Sequence, residues 1–248
     1  MIVDTFTLLG ESIFGQSSTR DELLRAMDQA EIDRAVVCPA RPRGYHLGPA
    51  NDALATSIAD DGDRLTGFAR VDPHQGDAAA AEARRALGEL GLAGVFLHPW
   101  EETFRISARD VDAVVDVARA ASVPVLIAAG YPWLSEGLQI GELASRFDEV
   151  TFIATNGGQL NISGLGQTDI ELAMSRCPNL YLQTAGVYRE DFLENVVARF
   201  GSERLLFASG FPVMDPRLEV QRPRSMHVDA LTQDAVLGDT AARLLGLE

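Results

Sequence analysis

The chain has 248 residues, 21 basic against 36 acidic side chains for a formal net charge of −15, 46% hydrophobic and 23% charged content, and two cysteines. That acidic balance argues against nucleic-acid binding, which needs basic patches on phosphates, and against anionic membranes. The length suits one large core, so a single domain over residues 1–248 is expected.

Two cysteines rule out a disulfide framework and a Cys-rich zinc site. All 21 basic residues are Arg, and the missing Lys excludes Schiff-base chemistry, a Walker lysine and a carbamylated lysine bridging two metals. No apolar run reaches the roughly 18 residues of a membrane span, and no basic-then-apolar leader opens the chain. A soluble, cytoplasmic protein is expected.

From the amino terminus, apolar runs alternate with amphipathic stretches. The first strand is expected at Ile2–Thr5, and Thr19 with Glu22 forms a capping box that starts a helix. Arg34–Cys38 and Leu65–Arg70 are the next strands. Ala78–Ala86 keeps a polar face through Glu82, Arg84 and Arg85 and reads as a strong helix. Gly91 and Gly94 flank its hand-over into the strand Gly94–Leu97, where a left-handed cap favours glycine. Ser107 and Asp110 repeat the capping-box spacing ahead of the periodic run Val111–Ala121. Further strands are expected at Pro124–Ala128, Thr151–Ala154, Leu180–Gln183 and Arg204–Ala208. Continuously apolar strands such as Ala35-Val36-Val37 are covered on both faces, as in a parallel sheet. Eight of them alternating with helices predict an α/β fold, a single (β/α)8 TIM barrel.

Sites on a barrel are built at the carboxyl ends of strands. The informative residues are therefore Phe6–Gly10, Cys38–His46, Arg70–His74, His98–Arg105, Ala128–Trp133, Asn156–Asn161, Thr184–Tyr188 and Ser209–Asp215. Seven fragments run through these regions in order: Met1-Ile-Val-Asp-Thr-Phe-Thr-Leu, Gly67-Phe-Ala-Arg-Val-Asp-Pro, Gly94-Val-Phe-Leu-His-Pro-Trp, Leu138-Gln-Ile-Gly-Glu-Leu-Ala, Val150-Thr-Phe-Ile-Ala-Thr-Asn-Gly-Gly, Leu206-Phe-Ala-Ser-Gly-Phe-Pro and Ala241-Ala-Arg-Leu-Leu-Gly-Leu. Together they resemble the amidohydrolase-related family, metal-dependent hydrolases and decarboxylases of the amidohydrolase superfamily, over nearly the whole chain.

The resemblance implies a metal held by His-x-His on the first strand, a His after the fifth, a His after the sixth and an Asp after the eighth. The matching positions here are Phe6 and Leu8, Ala128, Asn156 and Gly210. Four of the five have no side-chain atom able to coordinate, and Asn156 alone cannot supply the three or four donors a zinc site needs. The expectation is no metal and no cofactor. Without metal, water keeps a pKa near 15.7 instead of about 7, which closes the family's hydrolytic route. Phe6 and Leu8 then read as filler, each stabilising by about 1.5–3 kcal/mol when buried.

Few groups remain for chemistry. His98 is either a proton-transfer group or inherited strand-end packing. Asp72 is the best-placed carboxylate, or an Asx cap on its own turn. Cys38 is a candidate thiolate beside His46 or His98, or an inert core thiol. His46 shares a loop with Arg41 and Arg43 that is suited to a carboxylate or simply solvated, while His74 and His227 read as surface. Asn156-Gly157-Gly158-Gln159-Leu160-Asn161 offers backbone amides to an oxyanion. Ser209 lacks the Gly-x-Ser-x-Gly context of a nucleophile turn.

Two functions follow. The first is a metal-free enzyme whose mouth, lined by Phe6, Leu8, Trp100, Ala128, Tyr131, Trp133, Asn156 and Gly210, binds a mostly apolar small organic molecule, with His98 and Asp72 moving protons in dehydration, cyclisation, isomerisation or lactone opening. The second is a pseudoenzyme, a barrel kept for binding a ligand, a copy of itself or an active homologous subunit.

Overall fold

The computed structural model describes residues 1–160 and 164–247. The strands are β1 (Val3–Leu9), β2 (Arg34–Pro39), β3 (Leu65–Gly67), β4 (Ala69–Arg70), β5 (Val95–Leu97), β6 (Val125–Ile127), β7 (Phe152–Ala154), β8 (Leu180–Gln183) and β9 (Leu205–Leu206). Between them run α1 (Arg20–Gln29), α2 (Gly48–Ile58), α3 (Asp77–Gly88), α4 (Asp112–Ala121), α5 (Gly137–Arg146), α6 (Gly164–Arg176) and α7 (Glu190–Phe200). Short helices α8 (Pro216–Glu219), α9 (Gln221–Ser225), α10 (Ala230–Asp234) and α11 (Thr240–Leu245) finish the chain.

All ladder pairs are parallel, in a three-stranded sheet β1-β2-β3 and a six-stranded sheet β4 to β9. The two sheets close into one barrel. Across the first seam the Phe68 amide donates to Val37 O at 2.8 Å; across the second the Thr5 amide donates to Phe207 O at 3.0 Å and the Leu8 amide to Phe211 O at 2.8 Å.

The period of two along each strand sorts the side chains. Val36, Cys38, Phe68, Phe96, Leu126, Ile153 and Leu206 form one cluster inside the barrel. Their neighbours Ala35, Val37, Val95, Val125, Phe152 and Leu205 belong to clusters shared with the surrounding helices. Coverage of both faces is why these strands read as unbroken apolar runs.

Several boundaries differ from expectation. The first strand continues to Leu9, so Phe6 and Leu8 lie within it. The third strand is split at Phe68, and the Asn51 side chain repairs the ladder, its Oδ1 accepting from the Arg70 amide at 2.8 Å and its Nδ2 donating to Arg70 O at 3.0 Å. The Thr19–Glu22 capping box forms, with the Thr19 amide 2.8 Å from Glu22 Oε2 and the Glu22 amide 3.3 Å from Thr19 Oγ1. The Ser107–Asp110 box does not; a 3-10 turn at Arg109–Val111 leads into α4 without a side-chain cap. Gly91 is left-handed, at φ +69°, as expected. Gly94 is not, and its role is space: a Cβ there would stand 2.5 Å from the Phe68 ring. Among the described residues no helix is long and apolar enough to cross a membrane.

Gly94→Ala is expected to destabilise by about 1–3 kcal/mol through overpacking against Phe68. Urea denaturation should show a smaller loss when the same substitution is made in a Phe68→Leu background; equal losses would clear the ring of responsibility.

Candidate active site

Continuing the inward alternation by two residues carries Phe68 to Arg70, Phe96 to His98 and Leu126 to Ala128, and sets these three at the carboxyl-end mouth. Phe6, Leu8 and Tyr131 pack there as partly buried members of the interior cluster. The Phe6 and Phe96 rings lie 5.5 Å apart at 47°. Phe6 and Leu8 each keep part of their surface exposed.

The five positions matching the family's ligands do not fit a metal. Phe6, Leu8 and Ala128 present carbon to the interior cluster, and Gly210, at φ +71°, gives its amide to Phe6 O at 3.0 Å. The Asn156 side-chain amide donates to Ala185 O at 3.3 Å, leaving one carbonyl oxygen as the only donor atom of the set. Among the described residues no three His, Cys, Asp or Glu side chains come together as a metal site.

A charged cluster stands beside them. His98 is buried, and its Nδ1 accepts from the Glu101 amide at 3.2 Å. An accepting Nδ1 places the proton of the neutral ring on Nε2, which lies 3.7 Å from Glu101 Oε1. Burial, then the positive charges of Arg70 and Arg41, hold its pKa well below the usual 6.5, so the imidazole is neutral at pH 7. The Arg70 guanidinium is fully buried. Its Nη1 donates to Pro39 O at 3.0 Å, its Nε and Nη2 to Glu102 Oε1 at 3.2 and 2.8 Å, and Nη2 also to Glu101 Oε2. Arg41 Nε stands 3.0 Å from the same Glu102 oxygen. Burial pushes Glu102 up to about 7 against the pull of Arg70, and its Oε2 has no partner.

The aromatic wall expected around His98 is partly there. Tyr131 lies 5.4 Å from the His98 ring and stacks on Trp100 at 5.8 Å and 7°. Trp133 is 76% exposed at the rim and belongs to none of these ring contacts. Asp72 is not brought to His98; its Oδ1 accepts from the His74 amide at 3.0 Å as the cap of a 3-10 turn, and it lines a separate cleft with His46 and Glu82. Cys38 is buried and its pKa is driven far up by desolvation, so it stays a thiol, and the nucleophile reading is corrected. His46 packs on Tyr45 with the rings 4.2 Å apart and tilted by 39°, and lines a cavity of about 1100 Å³ off the axis with Arg43, Ser12 and Leu54. His74 and His227 are exposed, as expected. Asn161 lies outside the described residues.

Arg70, Glu101 and Glu102 escaped the sequence reading as individual candidates. A signal existed for Arg70, a charge two residues beyond inward Phe68 on a strand; none marked the glutamates, whose direction is set by the turn after β5. Asp4 is a second buried carboxyl missed. Its Oδ1 accepts from the amides of Ser209 at 2.8 Å and Phe6 at 3.2 Å, and burial raises its pKa from 3.8 to about 7.

A closed parallel barrel with a mouth at its strand ends defines the class. The amidohydrolase family matches residues 18–247, and the chain belongs to that family. Among curated proteins it is 23% identical to gamma-resorcylate decarboxylase from Rhodococcus jostii (strain RHA1) over 78% of this chain and 77% of that one. Among solved structures it is similar to 5-carboxyvanillate decarboxylase from Sphingomonas paucimobilis, with a TM-score of 0.82 at 16% identity, covering 100% of this chain and 99% of that one. It is also similar to a dihydroxybenzoic acid decarboxylase from Polaromonas sp. JS666 with bound manganese, with a TM-score of 0.78 at 15% identity, covering 99% and 97%.

Asp4, raised from 3.8 to about 7, adds stability that is complete below pH 4 and disappears as pH climbs through 7. Asp4→Asn keeps the Oδ1 acceptor and removes the titration. Relative to wild type, the variant should gain on the order of 2–4 kcal/mol between pH 4 and pH 8 in urea denaturation; parallel pH curves would refute the buried carboxyl.

Proposed function

We propose that the mouth is a metal-independent small-molecule site in which His98 transfers or shares a proton with a substrate oxygen. The observation that carries this reading is the neutral His98 ring, anchored through Nδ1 and presenting Nε2–H beside Glu101 and Tyr131. A neutral imidazole in this state donates a hydrogen bond to an oxygen as negative charge builds on it. The stacked Tyr131 and Trp100, with Phe6, Leu8 and Ala128, suit a flat and mostly apolar body. The reactions proposed for it are isomerisation, dehydration, cyclisation or lactone opening. Glu101, not Asp72, is the carboxylate within reach of His98. The decarboxylases to which the chain is similar supply the scaffold; the side chains at its ligand positions argue for chemistry without their metal.

Purified protein should contain well under one equivalent of zinc, manganese or iron by elemental analysis, and turnover found in a screen of cyclic carbonyl compounds and lactones should survive chelator. His98→Ala should abolish that turnover with the fold intact, and the wild-type rate should show no loss from protonation of His98 between pH 8 and 6.5, any inflection near 7 persisting only as long as Glu102 does. Metal-dependent turnover, or an active His98→Ala, would refute the reading.

The second function, a partner-binding barrel, draws on a different observation. Phe14, Tyr45, Trp100, Trp133, Tyr188 and Val213, from six different strand-end loops, are each about half exposed or more. Such a rim suits burial against another copy or an active homologous subunit.

A further inference from the structure

The loop after β2 carries two guanidiniums, and the fold uses one of them. Arg41 is a strut: its Nη1 donates to Pro42 O at 2.9 Å and to Gly44 O at 2.7 Å, its Nε stands 3.0 Å from Glu102, and its carbonyl accepts from the Ile13 amide at 3.0 Å. The Arg43 side chain makes no ion pair or hydrogen bond among the described residues, and neither does that of Glu11 on the loop after β1. Both line the same cavity of about 1100 Å³. That cavity lies outside the barrel wall. Leu8 and Cys38 pair across β1 and β2 and belong to the interior cluster, so the next pair, Leu9 and Pro39, faces outward, and these two line the cavity. Ile13 and Leu54 extend the apolar surface, while His98, Trp100 and Tyr131 take no part. The remaining charge on the lining, Arg20, is already met by Asp61 and Asp21. One positive and one negative group are therefore left unanswered in a single cavity, and they form no ion pair with each other.

We infer that this cavity is a second ligand site, separate from the mouth, and that it takes a zwitterion with an apolar side chain: a free amino acid or a short peptide whose carboxylate meets Arg43 and whose ammonium meets Glu11. A molecule carrying both charges on one body answers both groups without bringing them together, each through a charge-assisted contact. A plain anion would leave Glu11 opposing it, and a plain cation would leave Arg43. The apolar side chain lies against Leu9, Ile13 and Leu54, and the volume has room for a ligand of dipeptide size. The roof needs little ordering on binding, because Arg41 holds its own loop closed and the Tyr45 carbonyl is tied to Gln75 Nε2 at 2.6 Å.

Isothermal titration with phenylalanine and with the dipeptide leucylphenylalanine tests it. One of the two should bind, and the tighter of them tells a free amino acid from a short peptide. That ligand should weaken about tenfold when its amine is acetylated, and about as much when its carboxylate is amidated, since each cap deletes one charge-assisted contact. Arg43→Gln and Glu11→Gln should each cost a similar factor with an unchanged melting profile, both side chains being exposed and unpaired. Ala53→Trp, which fills the cavity from α2 and leaves both charges in place, should abolish binding. The exposed control Arg109→Gln should leave the affinity alone. Failure of both zwitterions to bind, equal affinity for either capped form, or equal affinity in Arg43→Gln or Glu11→Gln overturns the inference. Loss of binding in Trp100→Ala, with Ala53→Trp unaffected, overturns it as well by placing the ligand at the mouth.

Discussion

A guanidinium buried inside a barrel must be neutralised where it stands, and the mouth is arranged around that requirement. Arg70 arrives on the inner face because strand alternation puts it there, two residues after Phe68. Unpaired, its charge would cost several kcal/mol of desolvation. Its three partners come from two elements: a backbone carbonyl at the end of β2, and two glutamates from the turn after β5. Arg41 joins from the β2 loop, bringing a second positive charge to the same glutamate. Burial first, and then both cations, keep His98 neutral, so the chemical state of the imidazole at the mouth follows from its desolvation beside Arg70 and Arg41.

The same cluster explains how a family scaffold can remain organised with carbon at most of its ligand positions. In a metal-binding relative, the ion is the largest local charge and orients the groups around it. Here Phe6, Leu8 and Ala128 extend the hydrophobic interior upward, and polar order moves to the opposite side of the mouth, between β2, β4 and β5. The seam at Phe68 is part of that arrangement. By interrupting the third strand it leaves the Arg70 backbone to be paired by Asn51, which ties α2 to the mouth and fixes the guanidinium's origin.

Legibility of the site was uneven, for reasons that differ by residue. His98 was readable because it ends an apolar strand in a Leu-His-Pro turn, and the filled positions were readable because they fall on a family pattern. Asp72 takes the second of its two readings: a carboxylate after a strand and before proline satisfies its own turn, and local capping competes with service at a site. Glu101 and Glu102 gave no pattern, since consecutive acidic residues in a loop look like solvated charge until the turn's direction is known. Cys38 could be read from its place at a strand end as a thiolate or as an inert core thiol, and its burial makes it the latter.

The sequence by itself determined the eight strands, their two-faced burial, the closed parallel barrel and the positions where ligands had been replaced. Those depend on local periodicity and on residue identity, which a linear chain displays directly. Tertiary structure alone decided which charges meet: that Arg70 points inward to Glu101, Glu102 and Arg41, that burial beside these cations keeps the His98 ring neutral, and that Gly94 exists to admit the Phe68 ring. Such contacts join residues about thirty positions apart, and Coulomb energy and steric overlap depend on distance in space, of which sequence separation carries no record.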